Sequence, residues 1–438
     1  MTPSTAGTFG QARKALDDLL TARGLERAPL LVAFSGGPDS TLLLAVAAAR
    51  GPRRRVRAIH VDHGWHADSA AWAGHCRTVA REQGVPCDVV AVDARPRAGE
   101  GAEAAARSAR YDALGRMMRS GEVLLTAHHA DDQAETVLFA LLRGGGTRGL
   151  AGMPPLRRFA EGWHARPLLE LSRAEVAAAV AACGLPCLED PANRDSTHDR
   201  VFLREQVLPL LRRRWPRIDA GLVRSGRLAA DSLALEDTVA ARDFVDCRAA
   251  ADPATGASTL RADPLVALPG ARQRALLRWW LRREGLAPPP EGRLHSALAQ
   301  IAQARPGRNP RITWPGGEVR RWNGRVWALA PGARGMQEHA VTWADPHAAL
   351  ELPGRALAPE LLDALGVTGH AAGVIRLVRR RGGERVRTPH ARAPTSLTSV
   401  LRTAGVPPWE RDAALLVEVD GALRGVIAGG LAIHLEGG

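Results

Sequence analysis

The sequence predicts an α/β fold: a parallel-sheet domain, then a mainly helical domain, then a small α+β domain at the C-terminal end. Between residues 30 and 170, short apolar runs alternate with longer Ala- and Leu-rich stretches, which is the pattern of βαβ units. Beyond the sequence RRRWP at 212–216 the short apolar runs stop, and residues 217–305 are predicted to be helical. From about residue 335 the pattern is mixed.

The elements of the parallel-sheet domain follow from run length and composition. The strand-like runs are Leu30–Phe34, Val56–Val61, Cys87–Val92 and Val123–Ala127. The helix-like stretches are Thr41–Arg50, Ser69–Gln83, Glu103–Arg119, Asp131–Leu142 and Ser172–Cys183. The last of these begins with Ser172 and Glu175, the S-x-x-E pattern of a capping box.

The chain is long enough for two or three domains, since 438 residues exceed what one ordinary hydrophobic core supports. We predict a catalytic domain at 1–215, a middle domain at 216–335 and a C-terminal domain at 336–438. The middle domain is expected to close with a hairpin at RITWPGGEVRRWNGRVWALAPG, where Pro-Gly-Gly is a turn signal. The C-terminal domain is expected to end in the strand pair ALLVEVDGALRGVIAGG.

The composition indicates a basic protein with a polyanionic partner. The formal net charge is +13, and only Lys14 is a lysine among the 59 basic residues. An excess of this size favours RNA or DNA as the partner. No uncharged apolar run approaches the roughly 18 residues of a membrane span, and the first residues carry no signal-peptide pattern, so we expect a cytoplasmic protein without membrane contact.

The stretch LLVAFSGGPDSTLLLAVAAA predicts a phosphate-binding loop between a buried strand and a helix. Glycines let the backbone approach an anion, and the unpaired N–H groups of a first helical turn point towards it. The loop is neither a Walker A sequence nor a dinucleotide fingerprint. A carboxylate beside phosphates requires a cation, so Mg²⁺ is expected at Asp39. The candidate ATP-binding residues of the loop are Ser35, Gly36, Gly37, Pro38, Asp39 and Ser40.

SGGPDS resembles the SGGxDS loop of the N-type ATP pyrophosphatases. Further stretches resemble, in order and spacing, one family of that group, bacterial tRNA(Ile)-lysidine synthetase. In the first half these are AIHVDHGWHADS, TAHHADDQAETVLFALLRGGGTRGLAGMPP, RPLLELSRAEV and LEDPANRDSTHDRVFLREQVLPLL. In the last domain they are RRRGGERVRTP and LRTAGVPPWERDAALLVEVDG. The motifs cover roughly 30–215 and 376–430.

The resemblance implies a ligase that uses ATP and Mg²⁺ to modify the wobble cytidine of an isoleucine tRNA with the anticodon CAU. ATP adenylates C2 of the base through its carbonyl oxygen, and the ε-amine of free L-lysine then displaces AMP to give lysidine. The modified tRNA reads AUA. The middle and C-terminal domains are then expected to bind tRNA, and a homodimer is one expectation for the oligomeric state.

An acid pair is the candidate lysine site. Asp132 and Glu135 are three apart and lie on one face of the predicted helix 131–142. Only about one lysine side chain in 10³ is the neutral amine at pH 7, so a carboxylate that takes the proton lowers the barrier. The family's lysine-binding pair falls on these two residues. The alternative is an exposed acidic helix start favoured by the helix dipole.

The resemblance also implies roles for several basic residues. Arg110 in ARSARYDAL matches an arginine near the reacting phosphate, and His60 falls in the nucleotide-binding motif. Arg200 and Arg204 match the family's R-N-x-x-R, with Arg200 as a catalytic residue and Arg204 as a tRNA contact. Their alternative is a set of solvated helix charges. Composition gives a second group of tRNA-binding candidates in the C-terminal domain: Arg379, Arg380, Arg381 and Arg385.

The sequence departs from the family pattern at three positions. Val201 replaces the expected Asn after Arg200. His66 follows Trp65 where Leu-Arg is usual, and Thr398 replaces a lysine. Each change alters a polar or charged group, and all three bear on the expected tRNA contacts.

Two other functions compete. A tRNA thiolation enzyme of the same superfamily would need paired thiols, but Cys183 and Cys187 do not form C-x-x-C and have no second pair, which also disfavours zinc. A non-catalytic tRNA-binding protein would not need the acids, so intact Asp39, Asp132 and Glu135 favour an enzyme.

Overall fold

The computed structural model describes residues 3–50, 55–64, 68–96, 101–188, 199–252, 255–305, 307–331, 340–352, 355–367, 374–389, 391 and 393–436. The chain forms two compact units, residues 1–234 and residues 235–438. The predicted boundaries near 215 and 335 stay predictions, and His66 lies outside the described residues.

The first unit is an α/β domain, as predicted. Its strands are β1 Leu30–Ala33, β2 Val56–Asp62, β3 Cys87–Ala91, β4 Val123–Leu125, β5 Leu156–Phe159 and β6 Gly162–Ala165. Its helices are α1 Pro3–Thr21, α2 Pro38–Ala48, α3 Ser69–Glu82, α4 Ala102–Met117, α5 Ala130–Leu142, α6 Gly146–Leu150, α7 Arg173–Ala182, α8 Asp199–Phe202 and α9 Leu208–Arg214, with a π-helical turn at Leu203–Val207 and α10 Ile218–Cys247 running past the unit boundary. Helix α1 and the pair β5–β6 were not predicted from the sequence.

The six strands form one sheet in the order β3-β2-β1-β4-β6-β5. All neighbours are parallel except β5 and β6, which are antiparallel. The strand order reverses between β1 and β4, because β2 and β3 lie on one side of β1 and β4 lies on the other. In open α/β sheets, ligands bind at such a reversal, beyond the carboxyl ends of the strands.

Both faces of this sheet are covered. Leu30, Val32 and Phe34 pack against residues of α1, α2, α3 and α7 on one face. Leu31 and Ala33 pack with Leu114 of α4 on the other. The apolar strand β1 is therefore buried on both sides, which explains why its sequence is a continuous apolar run rather than an alternating one.

A buried ion pair joins β2 to the start of β4. Arg57 donates from Nε and Nη2 to the two carboxylate oxygens of Glu122, at 2.8 and 2.7 Å. Burial alone would raise the pKa of Glu122, but its hydrogen bonds to Arg57 and to the Arg119 N–H hold that pKa below the ordinary value. Arg57 also pairs with Asp88 at 3.3 Å, and Asp88 is half-exposed.

We expect Glu122→Gln to lower the free energy of unfolding by about 3–5 kcal/mol at pH 7, because it leaves the Arg57 charge buried without its main partner. A carboxyl group with a depressed folded-state pKa stabilises the fold above its unfolded-state pKa, near 4.3, and this contribution is lost as the pH falls through the folded-state pKa. The deficit of the variant should therefore shrink on acidification. Urea unfolding at pH 7 and at pH 4 measures it, with Asp88→Asn as a control that should cost under about 1 kcal/mol.

The second unit begins within α10, and its described residues form two larger antiparallel sheets and two two-stranded antiparallel sheets. Its strands are β7 Leu260–Arg261, β8 Arg311–Trp314, β9 Gly317–Trp322, β10 Arg325–Leu329, β11 Ala340–Thr342, β12 Leu350–Leu352, β13 Arg355–Leu357, β14 Ile375–Arg379, β15 Arg385–Val386, β16 Thr395–Ser396, β17 Leu415–Val419, β18 Ala422–Ala428 and β19 Leu431–His434. Its other helices are α11 Ala262–Ala267, α12 Gly270–Arg283, α13 Glu291–Gln303, α14 Glu360–Asp363, α15 Leu397–Thr403 and α16 Pro408–Arg411.

Helices α11–α13 pack on the first sheet, β7-β10-β9-β8, around the fully buried Trp280. The hairpin predicted at Pro-Gly-Gly is confirmed, since β8 pairs with β9 across the turn at Pro315 and Gly316. The second sheet is β11-β14-β17-β18-β19, and apolar clusters cover both of its faces. Its β17–β18 hairpin confirms the predicted terminal strand pair and turns at Asp420-Gly421, both with positive φ.

Candidate active site

A cleft of about 700 Å³ lies where the strand order reverses, beyond the carboxyl ends of β1 and β4. The loop after β1, the segment after β4 and the N-terminal ends of α2, α5 and α7 all contribute to it. Its lining is mainly polar and charged: Ala33, Ser35, Gly37, Pro38, Asp39, Ser40, Trp72, Arg110, Thr126, Ala127, His128, His129, Asp132, Arg173, Leu188, Arg204 and Glu205.

The loop SGGPDS has the geometry of an anion cradle. Gly36 has φ +83°, and a Cβ there would lie 3.0 Å from Sγ of Cys76, so glycine is required on both grounds. Gly37 is the N-cap of α2 and cannot cap it with a side chain, which leaves the first N–H groups of the helix for a ligand. The hydroxyl groups of Ser35 and Ser40 lie 3.0 Å apart and brace the loop.

Asp39 brings a carboxylate to this cradle. It lies in the first turn of α2, and about 36% of its side chain is exposed to the cleft. His129 Nε2 lies 3.9 Å from its carboxylate. Burial raises the pKa of Asp39, the neighbouring His129 lowers it, and the like charge of Asp132 raises it further. A bound cation would relieve this unfavourable arrangement of two carboxylates.

The predicted acid pair is already held by an arginine. Arg204 donates to both oxygens of Glu135, from Nε at 2.6 Å and from Nη2 at 2.9 Å. The same Nη2 lies 3.2 Å from Oδ1 of Asp132. Arg204 therefore occupies the space between these two carboxylates.

The surroundings of the acid pair differ for its two members. Glu135 is almost fully buried, and burial raises its pKa even though Arg204 acts in the opposite direction. Asp132 lines the cleft and accepts a hydrogen bond from the backbone N–H of His129 at 3.0 Å, as part of a capping box. A ligand in the cleft can thus reach Asp132 directly, whereas it reaches Glu135 only where Arg204 now lies.

Arg204 lies in the π-helical turn Leu203–Val207. Turns of this type recur at functional sites. The role of Arg204 as a tRNA contact, expected from the sequence, stays a prediction. The geometry adds that Arg204 lines the cleft with Asp39 and Asp132.

Of the other predicted residues of the catalytic domain, Arg110 is among the described residues that line the cleft, and His60 and Arg200 are not. Arg110 lines the cleft, and burial lowers the pKa of its guanidinium. His60 is buried, its Nδ1 donates to the carbonyl oxygen of Phe34 at 3.0 Å, and it is not among the described residues that line the cleft. Arg200 lies over the ring of Phe139 at 6.0 Å, also outside that described lining.

Arg173 and Trp72 are among the lining residues of the cleft that were not predicted from the sequence. Arg173 is the first residue of α7, and its backbone N–H donates to Asp131 at 2.8 Å. Trp72 comes from α3. Arg173 directly follows the predicted cap Ser172, so the stretch RPLLELSRAEV contained the signal, but only the topology brings it to the cleft.

The C-terminal arginines fall into two groups. Arg379, Arg381 and Arg385 are exposed. Arg380 is held in place: it donates to the carbonyl oxygen of Arg411 at 3.1 Å and to Oγ1 of Thr398 at 3.0 Å, and it pairs with Glu384 at 3.3 Å. Thr398, one of the departures from the family pattern, therefore has a partner within the domain.

Among the described residues, no group of three or more His, Cys, Asp or Glu side chains is arranged to hold a metal ion. The described part of the chain also contains no helix that is both long enough and apolar enough to cross a membrane.

Comparisons with known proteins agree with this geometry. Residues 10–211 match the PP-loop domain family, residues 260–327 the TilS substrate binding domain and residues 375–436 the TilS substrate C-terminal domain. Among solved structures, the chain is similar to the U34-tRNA thiolase NcsA from Methanococcus maripaludis with its [4Fe-4S] cluster. This similarity has 16% identity and a TM-score of 0.42 over 52% of this chain and 80% of that chain, which is too weak to bear on function.

Curated relatives match over nearly the whole chain. The tRNA(Ile)-lysidine synthase of Alkalilimnicola ehrlichii is 41% identical, over 87% of this chain and 85% of that protein. The synthase of Methylococcus capsulatus is 38% identical over 90% of both, and that of Escherichia coli O157:H7 is 36% identical over 91% of this chain and 90% of the relative. The chain with this loop, acid pair and cleft belongs to the tRNA(Ile)-lysidine synthase family.

Proposed function

We propose that this chain uses ATP to join free L-lysine to C2 of the wobble cytidine in an isoleucine tRNA with the anticodon CAU. The product is lysidine, so the tRNA reads AUA. The reaction passes through an adenylated cytidine and releases pyrophosphate and then AMP. The observation that carries this proposal is one cleft, in a member of this family, that is lined by a phosphate cradle, Arg110 and Asp132, with Glu135 joined to Asp132 through Arg204.

In the first step the cytidine carbonyl oxygen attacks the α-phosphate, and pyrophosphate leaves. The loop Ser35–Ser40 and the free end of α2 hold the triphosphate through backbone N–H groups. The guanidinium of Arg110 is positioned to stabilise charge on the phosphates, since it lines the same cleft. Arg173 adds a second positive charge to that lining.

Mg²⁺ fits the donor set at Asp39. The ion usually binds proteins through one or two carboxylates together with substrate phosphates. Asp39 is a half-exposed carboxylate in the cradle, and its pKa is raised by burial and by Asp132, so a cation offsets both. When bound, Mg²⁺ neutralises charge on the triphosphate, while Asp39 is the residue that holds it.

In the second step the lysine ε-amine forms a bond to C2 of the cytidine, and AMP leaves. The amine must lose a proton, which costs roughly 4–5 kcal/mol at pH 7 without an acceptor. Asp132 and Glu135 bind the ammonium and accept this proton. The raised pKa of Glu135 makes it a better proton acceptor than an ordinary exposed carboxylate.

A direct assay tests the function. The protein is incubated with ATP, labelled lysine and an unmodified CAU-anticodon isoleucine tRNA, and label is measured in the RNA. Incorporation should require ATP and should fail with a methionine tRNA that carries the same anticodon. Labelled sulfur entering the tRNA instead would favour the thiolation enzyme, and tRNA binding without pyrophosphate release would favour a non-catalytic binding protein.

We propose that the exposed arginines of the C-terminal patch, Arg379, Arg381 and Arg385, bind tRNA phosphates. Each neutralised phosphate contributes about 0.7–0.9 to the slope of log K against log salt. Replacing Arg379 and Arg381 with alanine should therefore flatten the slope by roughly 1.4–1.8, and should weaken cognate and non-cognate tRNA alike. Arg380→Ala should instead lower stability, because Arg380 bonds within the domain.

The measurement is tRNA affinity from low to moderate salt, with Arg13→Ala, an exposed arginine of α1, as the control for loss of a positive charge outside the patch. An unchanged slope in the double variant would show that the patch is a solvated face. A loss confined to the cognate tRNA would show that the patch reads identity.

The cytoplasmic location and the homodimer stay predictions, and light scattering with and without tRNA tests the latter.

A further inference from the structure

A chain of hydrogen-bonded polar groups leads from the outer strands of the sheet to the cleft. Arg157 Nε and Arg166 Nη2 lie 3.4 and 3.3 Å from Nδ1 of His164. Nε2 of His164 lies 2.8 Å from the hydroxyl of Thr126. That hydroxyl lies 2.8 Å from Nδ1 of His128, which lines the cleft. Thr126 and His164 are almost fully buried.

The direction of every hydrogen bond in this chain follows from the arginines. A guanidinium N–H can only donate, so Nδ1 of His164 accepts and carries no proton. A neutral His164 then carries its proton on Nε2 and donates to Thr126. Among the described residues the hydroxyl of Thr126 has one remaining partner, Nδ1 of His128.

The hydroxyl of Thr126 fixes the state of His128. If His128 also donated to Thr126, the buried hydroxyl proton would have no acceptor, which is unfavourable because the group has lost its hydrogen bonds to water. The hydroxyl therefore donates to Nδ1 of His128. The proton of His128 must then lie on Nε2, the ring nitrogen that is not directed at Thr126.

Burial and nearby positive charge keep both rings neutral. Burial and the neighbouring Arg166, Arg157, Arg107 and Arg110 lower the pKa of His164 to about 2. Burial and the same kind of charge, with Arg166 first and Arg110 next, lower the pKa of His128 well below its ordinary value. His128 is thus a fixed donor rather than a group that exchanges protons near pH 7.

We propose that His128, as a neutral imidazole, donates its Nε2–H to a phosphate oxygen of the nucleotide in the cleft, with Thr126 and His164 as positioning residues. This rests on the proposed use of ATP. A phosphate oxygen is the acceptor that the site favours, because Arg110 shares the lining with His128 and the loop Ser35–Ser40 faces the same space. The role needs no metal ion and no change of protonation during the reaction.

The tautomer can be measured without turnover. In protein labelled with ¹⁵N at histidine rings, the nitrogen shifts distinguish protonated from unprotonated nitrogens, and His128→Gln identifies the signal. We expect one proton, on Nε2, in the wild type at pH 7.5. Thr126→Val should remove the preference for a proton on Nε2 of His128, and Thr126→Ser should retain it. A proton on Nδ1, or on both nitrogens, in the wild type would overturn the assignment.

Kinetics give a second, independent readout. His128→Ala should lower kcat/KM for ATP in tRNA-dependent pyrophosphate release by about 10- to 100-fold, the usual effect of one hydrogen bond to a charged group. His128→Gln, whose amide N–H₂ falls near the position of Nε2, should retain most of the activity. The KM for lysine should not change in either variant.

The outcomes separate this proposal from the proposed function. If the wild type incorporates lysine and His128→Ala matches it in kcat/KM for ATP, only the role of His128 is wrong. If the wild type shows no ATP-dependent incorporation, the proposed function is wrong, whereas the tautomer measurement still tests the hydrogen-bond chain.

Discussion

Replacing Asp39 with alanine is expected to reduce tRNA-dependent pyrophosphate release by at least about 100-fold. The side chain is the carboxylate of the phosphate cradle, and it lies in the first turn of α2, next to the helix end that faces the triphosphate. Removing it deletes the anionic group that we propose as the Mg²⁺ ligand beside the phosphates. Chemistry at the α-phosphate should fail, and lysine incorporation should fail with it.

Two variants separate this effect from a loss of folding or of surface charge. Asp39→Asn keeps the shape and removes the charge, so it should be impaired nearly as much as Asp39→Ala. Asp18→Ala removes an exposed carboxylate of α1 and should behave as the wild type. The burial that raises the pKa of Asp39 makes its charged form costly without a cation, so both Asp39 variants should unfold at the same temperature as the wild type or higher. Pyrophosphate release close to normal in Asp39→Ala would contradict the assignment.

The parts of the site that the sequence predicted are those built from contiguous residues. SGGPDS contains its strand end, its glycine turn and its helix start within six residues, so local rules were sufficient. The spacing of Asp132 and Glu135 also sufficed, because a helix places residues three apart on one face. The capping box predicted at Ser172 and Glu175 is also present, and its S-x-x-E spacing alone was sufficient to predict it.

The parts that the sequence did not predict depend on pairing between distant segments. The partner of Glu135 is Arg204, which is 69 residues away, and no periodicity relates the two. The chain from Arg166 to His128 crosses β6 and the end of β4, and it depends on the parallel register in which Leu125 pairs with Ala165. Similarly, the run Arg379–Arg381 has uniform charge in sequence, yet among the described bonds only Arg380 is held within the domain through its side chain.

The acid pair gives the second large effect. Glu135→Gln and Asp132→Asn are each expected to raise the KM for lysine by about 10- to 100-fold, since each removes a charge-assisted hydrogen bond to the ammonium group. AMP should still be transferred to the cytidine, because neither residue is needed at the α-phosphate. The measurements are pyrophosphate release without lysine and lysine incorporation over a range of lysine concentrations. Loss of adenylation with an unchanged KM for lysine would make these residues metal or nucleotide ligands instead.

Arg204 provides the matched test, because its replacement should lower the KM for lysine, whereas replacement of either acid should raise it. Its guanidinium binds both carboxylates, so lysine that binds the proposed site would have to displace it. Arg204→Met removes this competitor and should lower the KM for lysine by roughly fivefold, the equivalent of about 1 kcal/mol for a partly exposed ion pair. Arg204 is the group that lowers the pKa of the buried Glu135, so the Arg204→Met variant should unfold more easily than the wild type. Added lysine should stabilise this variant more than it stabilises the wild type.

The same variant decides between the two roles of Arg204. If Arg204 binds tRNA, as the sequence suggested, Arg204→Met should weaken tRNA binding and flatten its salt dependence by about 0.7–0.9, with the KM for lysine unchanged. If Arg204 is the counter-ion of the acid pair, tRNA affinity should hold while the KM for lysine falls. A combination of Arg204→Met with Glu135→Gln completes the cycle: the effect of each change on lysine should depend on the presence of the other, because Arg204 and lysine compete for the same carboxylate.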